Sequence, residues 1–461
     1  MTVGSRGIAV EAGAEGAKRS YTFDVPVVMA DDSMLVDVAG TSTELHLTKP
    51  MLAAAPEASL VFTKRGLGTL YTDGENMVPG ERKQLDGIWY AKACSLGPED
   101  TPVTIRQTSG SLGFYLNGGI FDQAFSISRT MSPTYTFGAA IGSTNCLVKP
   151  FVFADSYGIV FMFYNNSVTR FQGGFNKTGS WAGTFNLESR AELYFENAPF
   201  VYDEVSLPAR FCSYSVNRAR LEFAAKGGYA RRGFSFAGGM DVHFTADAAI
   251  SNDQYNCSLN LLRSGESLHP KLHLHNTKQY FGDVTNTPSK GFERFIYDDT
   301  GAEIAGEAGA ELHIRQTGAD VVWHPIFTGA ASLVKEGDKR LTLAIASPTC
   351  GRLEVREGTL GFAAEVGTAN WTNCSEVVVS GGVLEVDRPD RFGNQVEYTL
   401  SGGKLDLAEG VRLRAKALTL PDGQGGWVRH EAGVYNATKL SEYISGNGEL
   451  RLASGTVILF K

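Results

Sequence analysis

The chain writes Ser380-Gly381-Gly382-Val383-Leu384-Glu385-Val386 and, 21 residues on, Ser401-Gly402-Gly403-Lys404-Leu405-Asp406-Leu407. Strand side chains alternate between faces. Leu384 and Val386 therefore face one way and Glu385 the other, and Leu405 and Leu407 repeat this against Asp406. The glycine pair before each strand is turn chemistry, because glycine reaches positive φ at little cost. A turn and a short half-apolar strand returning at this interval fit one coil of a parallel β-helix. In that fold like positions stack about 4.8 Å apart, and the coil supplies the crossover that parallel strands require.

Looser copies recur at Glu44-Leu45-His46-Leu47, Ala191-Glu192-Leu193-Tyr194-Phe195, Ala219-Arg220-Leu221-Glu222-Phe223, Asp241-Val242-His243-Phe244, Lys271-Leu272-His273-Leu274 and Ala310-Glu311-Leu312-His313-Ile314. Others are Gly351-Arg352-Leu353-Glu354-Val355, Gly358-Thr359-Leu360-Gly361-Phe362 and Gly448-Glu449-Leu450-Arg451-Leu452. Their uneven spacing is that of coils with loops inserted at the turns. Helical periodicity is confined to a turn or two at 437–443. Paired antiparallel sandwiches also use short, regularly spaced strands, but the fixed glycine-rich phrase at a coil-like interval favours the solenoid. The expected fold is all-β, a parallel β-helix/solenoid with irregular loop insertions. It divides into an irregular region, 1–325, and regular coils, 326–461, closed by the apolar strand Thr456-Val457-Ile458-Leu459-Phe460-Lys461. A columnar core also removes the ~250–300-residue ceiling of a single compact one.

The formal charge of −8 is mild for 461 residues, and no basic run exceeds Arg231-Arg232, so nucleic acid is not the expected partner. No apolar stretch reaches the ~18 residues of a membrane-spanning helix. The first residues lack the layout of an export signal, and Ile8-Ala9-Val10-Glu11-Ala12 reads as the middle of a coil; the expectation is that an N-terminal piece lies upstream. The six cysteines form no CxxC pair and are too sparse for a disulfide scaffold. Cys350 and Cys374 each precede an apolar strand position, Leu353 and Val377, by three residues. Aligned coils place them one above the other, within reach of a disulfide if the chain is exported.

Two stretches resemble the autotransporter-associated β-strand repeat, which builds passenger β-helices of bacterial secreted and outer-membrane proteins. One is Ala58-Ser59-Leu60-Val61-Phe62-Thr63-Lys64-Arg65-Gly66-Leu67-Gly68-Thr69-Leu70. The other is Phe327-Thr328-Gly329-Ala330-Ala331-Ser332-Leu333-Val334-Lys335-Glu336-Gly337-Asp338-Lys339-Arg340-Leu341-Thr342-Leu343. Gly381-Gly382-Val383-Leu384 supplies the later phrase of the repeat, after a longer gap. Lys339-Arg340 departs from the usual Gly-Thr, and no membrane β-barrel is expected within these residues. The resemblance implies a rod-like shape and a location outside the cell or on a bacterial surface; presentation or adhesion, with surface glycans or surface proteins as partners, is the role expected there. It implies no chemistry.

Aligned coils would give an outward stripe of His46, Tyr194, Glu222, His243, His273, His313, Glu354, Glu385, Asp406 and Arg451. His273 and His275, at i, i+2, could share a metal with His269 or His243, but no carboxylate or cysteine stands at ligand spacing nearby, and a solvated face is the reading kept. Paired acids would signal sugar hydrolysis or calcium-assisted lyase action. Asp31-Asp32 and Asp298-Asp299 are adjacent pairs, the second in a turn, and Asp387 and Asp390 flank Arg388 in a loop with internal ion pairing. Trp89, Trp181, Trp371 and Trp427 are candidates for stacking on sugars or for pinning loops. No catalytic residue, metal ligand or cofactor is assigned. The expected function is a structural or adhesin-like surface module without catalytic activity; the alternatives are a polysaccharide-degrading β-helix enzyme and a carbohydrate-binding surface module.

Overall fold

The computed structural model describes residues 1–452 except 5, 13, 15–16, 56–59, 77, 79, 99–102, 108–111, 130–134, 155–158, 180–182, 205–207, 251–256, 265–266, 285–300, 345–349, 364–370 and 372. It is 55% strand and 1% helix, with about 14 turns of stacked parallel strands in all. The turns fall into two compact units, Met1–Met240 and Asp241–Lys461. The boundary at 325/326 was drawn from coil regularity, a different criterion. The expected all-β parallel solenoid is the fold of each unit.

In the second unit Val383–Val386 pairs in parallel with Lys404–Leu407, setting Leu384 opposite Leu405 and Glu385 opposite Asp406. Leu341, Leu360, Leu384, Leu405 and Ile444 continue this register as one buried column. A second column on another face runs Leu312, Leu333, Leu353, Val377, Tyr398, Leu418. Each buried aliphatic side chain stabilises by about 1.5–3 kcal/mol, which offsets the entropy of ordering its coil. The glycines repeat for a steric reason. Gly358 and Gly382 both take φ +67°. A Cβ on Gly382 would lie 2.3 Å from the Gly358 carbonyl oxygen, and one on Gly403 would lie 2.5 Å from that of Gly381. Each turn rests on the backbone of the turn before it.

Among the described residues two of this unit's sheets carry antiparallel strands. Trp427–His430 folds back on Ala417–Pro421, and Gly433–Tyr435 on Glu449–Leu452. The capping strand expected at 456–461 lies outside the described residues. The segment 437–443 forms turns rather than helix, with the Lys439 amide donating to the Asn436 side-chain oxygen at 3.2 Å.

The first unit has three main parallel sheets. They run from Ile8–Val10 to Tyr229–Ala230, from Arg19–Phe23 to Phe234–Gly238 and from Gly119–Phe121 to Ala219–Phe223. Its core is aromatic, where that of the second unit is largely aliphatic. Phe114, Phe137, Phe161, Phe185, Phe211 and Phe236 occupy one register in successive layers. The Phe161 and Phe185 rings lie 4.4 Å apart at 8°, and Phe185 and Phe211 lie 4.5 Å apart. Ladders Phe125–Phe151–Phe175–Phe200 and Phe171–Phe195–Phe223 come in from the other two sheets. They meet the first edge to face, as at Phe161–Phe175, 5.3 Å and 72°. Such pairs add about 0.5–1.5 kcal/mol each beyond burial.

The lysines of the two resembling stretches point inward. Lys64 and Lys335 are fully buried. Lys64 Nζ donates to the carbonyls of Gly66 and, at 2.8 Å, Gly68. Lys335 Nζ donates to those of Glu336 and Gly337, both at 2.7 Å, and of Glu357 at 3.1 Å. Gly66 (φ +80°) and Gly337 (φ +78°) turn the chain so that its carbonyls close over the ammonium. Gln84, opposite Lys64 on the adjacent coil, does the same work with Nε2, 3.0 Å from the carbonyls of both Gly87 and Gly113.

Candidate functional site

The single outward stripe does not form. Each coil carries strands that face different ways, so the stripe's residues fall on separate sheets. His46 begins an aromatic row in the first unit. Its ring stacks on Tyr71 (4.3 Å, 2°), Tyr71 on Tyr90 (4.9 Å, 7°) and Tyr90 on Tyr115 (4.9 Å, 20°). The faces of these rings cover one another, and Tyr115 at the end of the row is buried with its hydroxyl 3.4 Å from that of Tyr164. Tyr194 stands opposite Glu222 with the Arg170 guanidinium 4.0 Å above its ring. Tyr194, His313 and Glu354 alternate outward but are covered by charged neighbours, Arg170 over Tyr194, Glu311 on His313 and Arg356 on Glu354. Glu385, Asp406 and Ser445 form a row of their own, and Arg340 holds Glu385 with two bonds, one of 2.6 Å.

The histidines of the second unit do gather. His243 and His273 pair across strands with rings 4.3 Å apart at 6°. His275 does not share the strand of His273, which ends at His273. It takes φ +49°, and its Nε2 comes 3.0 Å from His243 Nδ1. Two carboxylates approach that the sequence reading missed: Asp241 Oδ1 at 3.6 Å from His273 Nε2, and Glu307 Oε1 at 3.5 Å from His275 Nδ1. His269 instead lies against Gly301, where a Cβ would come 2.9 Å from its ring. Among the described residues no group of three or more His, Cys, Asp or Glu is arranged to hold a metal ion. The cluster is a hydrogen-bonded stack of imidazoles.

Asp387 binds Arg391 rather than Arg388, at 2.6 Å, and the buried Arg391 guanidinium lies 4.8 Å over Phe362. Asp390 pairs with Arg388 at 3.8 Å. The loop is internally neutralised, as its sequence suggested. Asp298-Asp299 and Trp181 lie outside the described residues. Trp89 is a core residue of strand Gly87–Ala91, opposite Phe114; Trp371 is buried beside the loop residue Phe392, as a pin; Trp427 is 57% exposed. Cys350 and Cys374 occupy stacked coils as their spacing implied, yet both are free thiols. Sγ of Cys350 lies 2.9 Å from the Arg352 carbonyl, and Sγ of Cys374 lies 3.2 Å from that of Glu376. Burial pushes both thiols up, Cys350 to about 12.

Four surface clefts bear on the paired-acid criterion. One of about 400 Å³ in the first unit contains Glu188 with Asn165, Asn186, Ser189, Tyr214 and Ser215. One of about 600 Å³ contains Asp122 beside Lys92. Two in the second unit, of about 510 and 440 Å³, share Asn394, Arg414 and Arg451; the smaller also contains Asp390. None of the four brings two carboxylates together, and the pair of clefts at Arg414 is basic. On strand Arg412–Ala415 the two arginines alternate outward, and Arg414 stands directly opposite Arg451 of Glu449–Leu452. Glu449 is shared by Arg412 (3.2 Å) and Arg451 (2.8 Å). The sequence signal was Arg-x-Arg at strand spacing, which gains meaning only when residue 451 is laid against residue 414. No family model, no curated protein and no solved structure matches this chain.

Proposed function

We propose that the chain is a structural, adhesin-like module displayed outside the cell or on a bacterial surface, where it binds without catalysing. The observation that carries this reading is the pairing of closed, stacked columns with clefts that hold one carboxylate at most. Hydrolysis of a glycosidic bond calls for two. The resemblance of two stretches to the autotransporter-associated repeat is what supports the surface location, and the lysine of each stretch caps its turn in the same way. Surface glycans or surface proteins are the partners this reading implies. Protease treatment of intact producing cells tests location: digestion of the chain is expected, and its protection until lysis contradicts the reading. Incubation with bacterial and plant polysaccharides tests chemistry. Retention without new reducing ends or unsaturated uronates is expected, and release of either product would install the enzyme alternative.

A further inference from the structure

The second unit sets two like charges against each other at the wall of a cleft. Like charges directly opposite on neighbouring strands repel, and Arg414 and Arg451 are such a pair. Arg451 is answered by Glu449, whose carboxylate also serves Arg412. Among the described residues no carboxylate lies within ion-pairing distance of Arg414, which is exposed at the shared wall of the two clefts. Asp390, at the rim of the smaller cleft, is paired with Arg388. We infer that Arg414 and Arg451, with Asn394 and Gln395, form a binding site for an acidic polysaccharide, one whose sugars bear carboxylate or sulfate.

Each feature of the ligand follows from a feature of the site. A guanidinium fork matches the two oxygens of a carboxylate or sulfate, and charge-assisted bonds of this kind are about twice as strong as neutral ones. An anion between Arg414 and Arg451 would turn their repulsion into shared attraction. The exposed amides of Asn394 and Gln395 offer both donors and acceptors, which suits sugar hydroxyls beside the anion. The two clefts, of about 510 and 440 Å³, adjoin through shared residues. A chain of sugars can occupy both, whereas a single phosphate or lipid headgroup fills one. This site rests on the surface-module reading only for the source of its ligand.

Calorimetric titration of the whole chain with hexagalacturonate, a heparin-derived hexasaccharide and neutral maltohexaose tests the inference, at 50 and 300 mM NaCl. An acidic hexasaccharide is expected to bind, to weaken severalfold at the higher salt, and to bind at least tenfold more weakly to Arg414→Gln. That variant is expected to melt no lower than the parent, because it removes a repulsion; Arg414→Lys is expected to recover part of the affinity. The inference fails if neither acidic hexasaccharide binds, if maltohexaose binds as well, or if Arg414→Gln leaves affinity unchanged. It also fails if inorganic sulfate or phosphate, or phosphatidylglycerol vesicles, bind as tightly as the sugars, which would make the site a simple anion or membrane contact. Protease accessibility on intact cells is independent of all these outcomes, so loss of the site and loss of the surface reading are distinguishable.

Discussion

The Lys335 ammonium lies inside its own coil, 2.7 Å from the carbonyl oxygen of Gly337 two residues later. Lys64 repeats the relation with Gly66 and Gly68. A lysine that reads as a surface residue in sequence is the internal cap of a turn. Truncating it strands the buried carbonyl of Gly68 or Gly337, and leaving a buried acceptor unmet costs about 1–3 kcal/mol. Lys64→Met is therefore expected to destabilise the first unit by that order in urea unfolding. Lys64→Gln is expected to cost less than about 1 kcal/mol, since Gln84 already fills the role one coil away. Equal losses for the two variants would contradict the capping role.

The same burial makes a prediction about pH. It pushes Lys64 and Lys335 down to about 8, below the ~10.4 of an unfolded lysine. Between these values the unfolded chain holds more protons than the folded one, so stability rises with pH across that window and is flat below it. Urea midpoints at pH 7.5, 9 and 10 are expected to climb for the parent and to climb less for the Lys64→Gln, Lys335→Gln double variant. A parent midpoint that falls between pH 8 and 10, or equal slopes, would count against this.

The glycine of the repeated phrase is fixed by its neighbour. Gly382 combines φ +67° with a Cβ position 2.3 Å from the Gly358 carbonyl oxygen. Gly382→Ala meets backbone strain and a backbone clash together, and is expected to cost about 2–3 kcal/mol or more. Gly410→Ala is the control: its φ is similar, +79°, but nothing lies within 4 Å of its Cβ. Thermal melts in which the two variants fall equally would remove the stacking explanation.

Much of the second unit was legible because its chemistry repeats. Leu384 and Leu405 announce the coil through phrases that share Ser-Gly-Gly-x-Leu and an acid after it, and the glycines give its turns. Cover was not legible. His313 and Glu354 alternate outward yet are buried, because ion-paired neighbours such as Glu311 and Arg356 fold over them. The aromatic core of the first unit was missed for a related reason. Phe161, Phe185 and Phe211 sit on strands without the glycine phrase, so only the register of the coils shows them to be one ladder. The basic clefts were out of reach because Arg451 meets Arg414 across an insertion.

That ladder is open to truncation. Phe185 is fully buried between Phe161 and Phe211. Phe185→Ala is expected to cost about 3–5 kcal/mol and Phe185→Leu roughly half of that. Unfolding monitored by circular dichroism checks both; a loss under ~1 kcal/mol for alanine would mean the stack does not carry the unit.

The layering of successive coils is tested most directly by paired cysteines at outward positions 385 and 406, introduced as Glu385→Cys and Asp406→Cys with Cys94→Ser to remove the exposed native thiol. Neighbouring strands lie about 4.8 Å apart, inside the Cα range a disulfide tolerates. Mild oxidation is expected to join 385 to 406, seen as one linked peptide by mass spectrometry, and to leave Glu385→Cys with Ser445→Cys unlinked, because Ser445 lies one layer beyond Asp406. A 385–445 link without a 385–406 link would contradict the parallel stack.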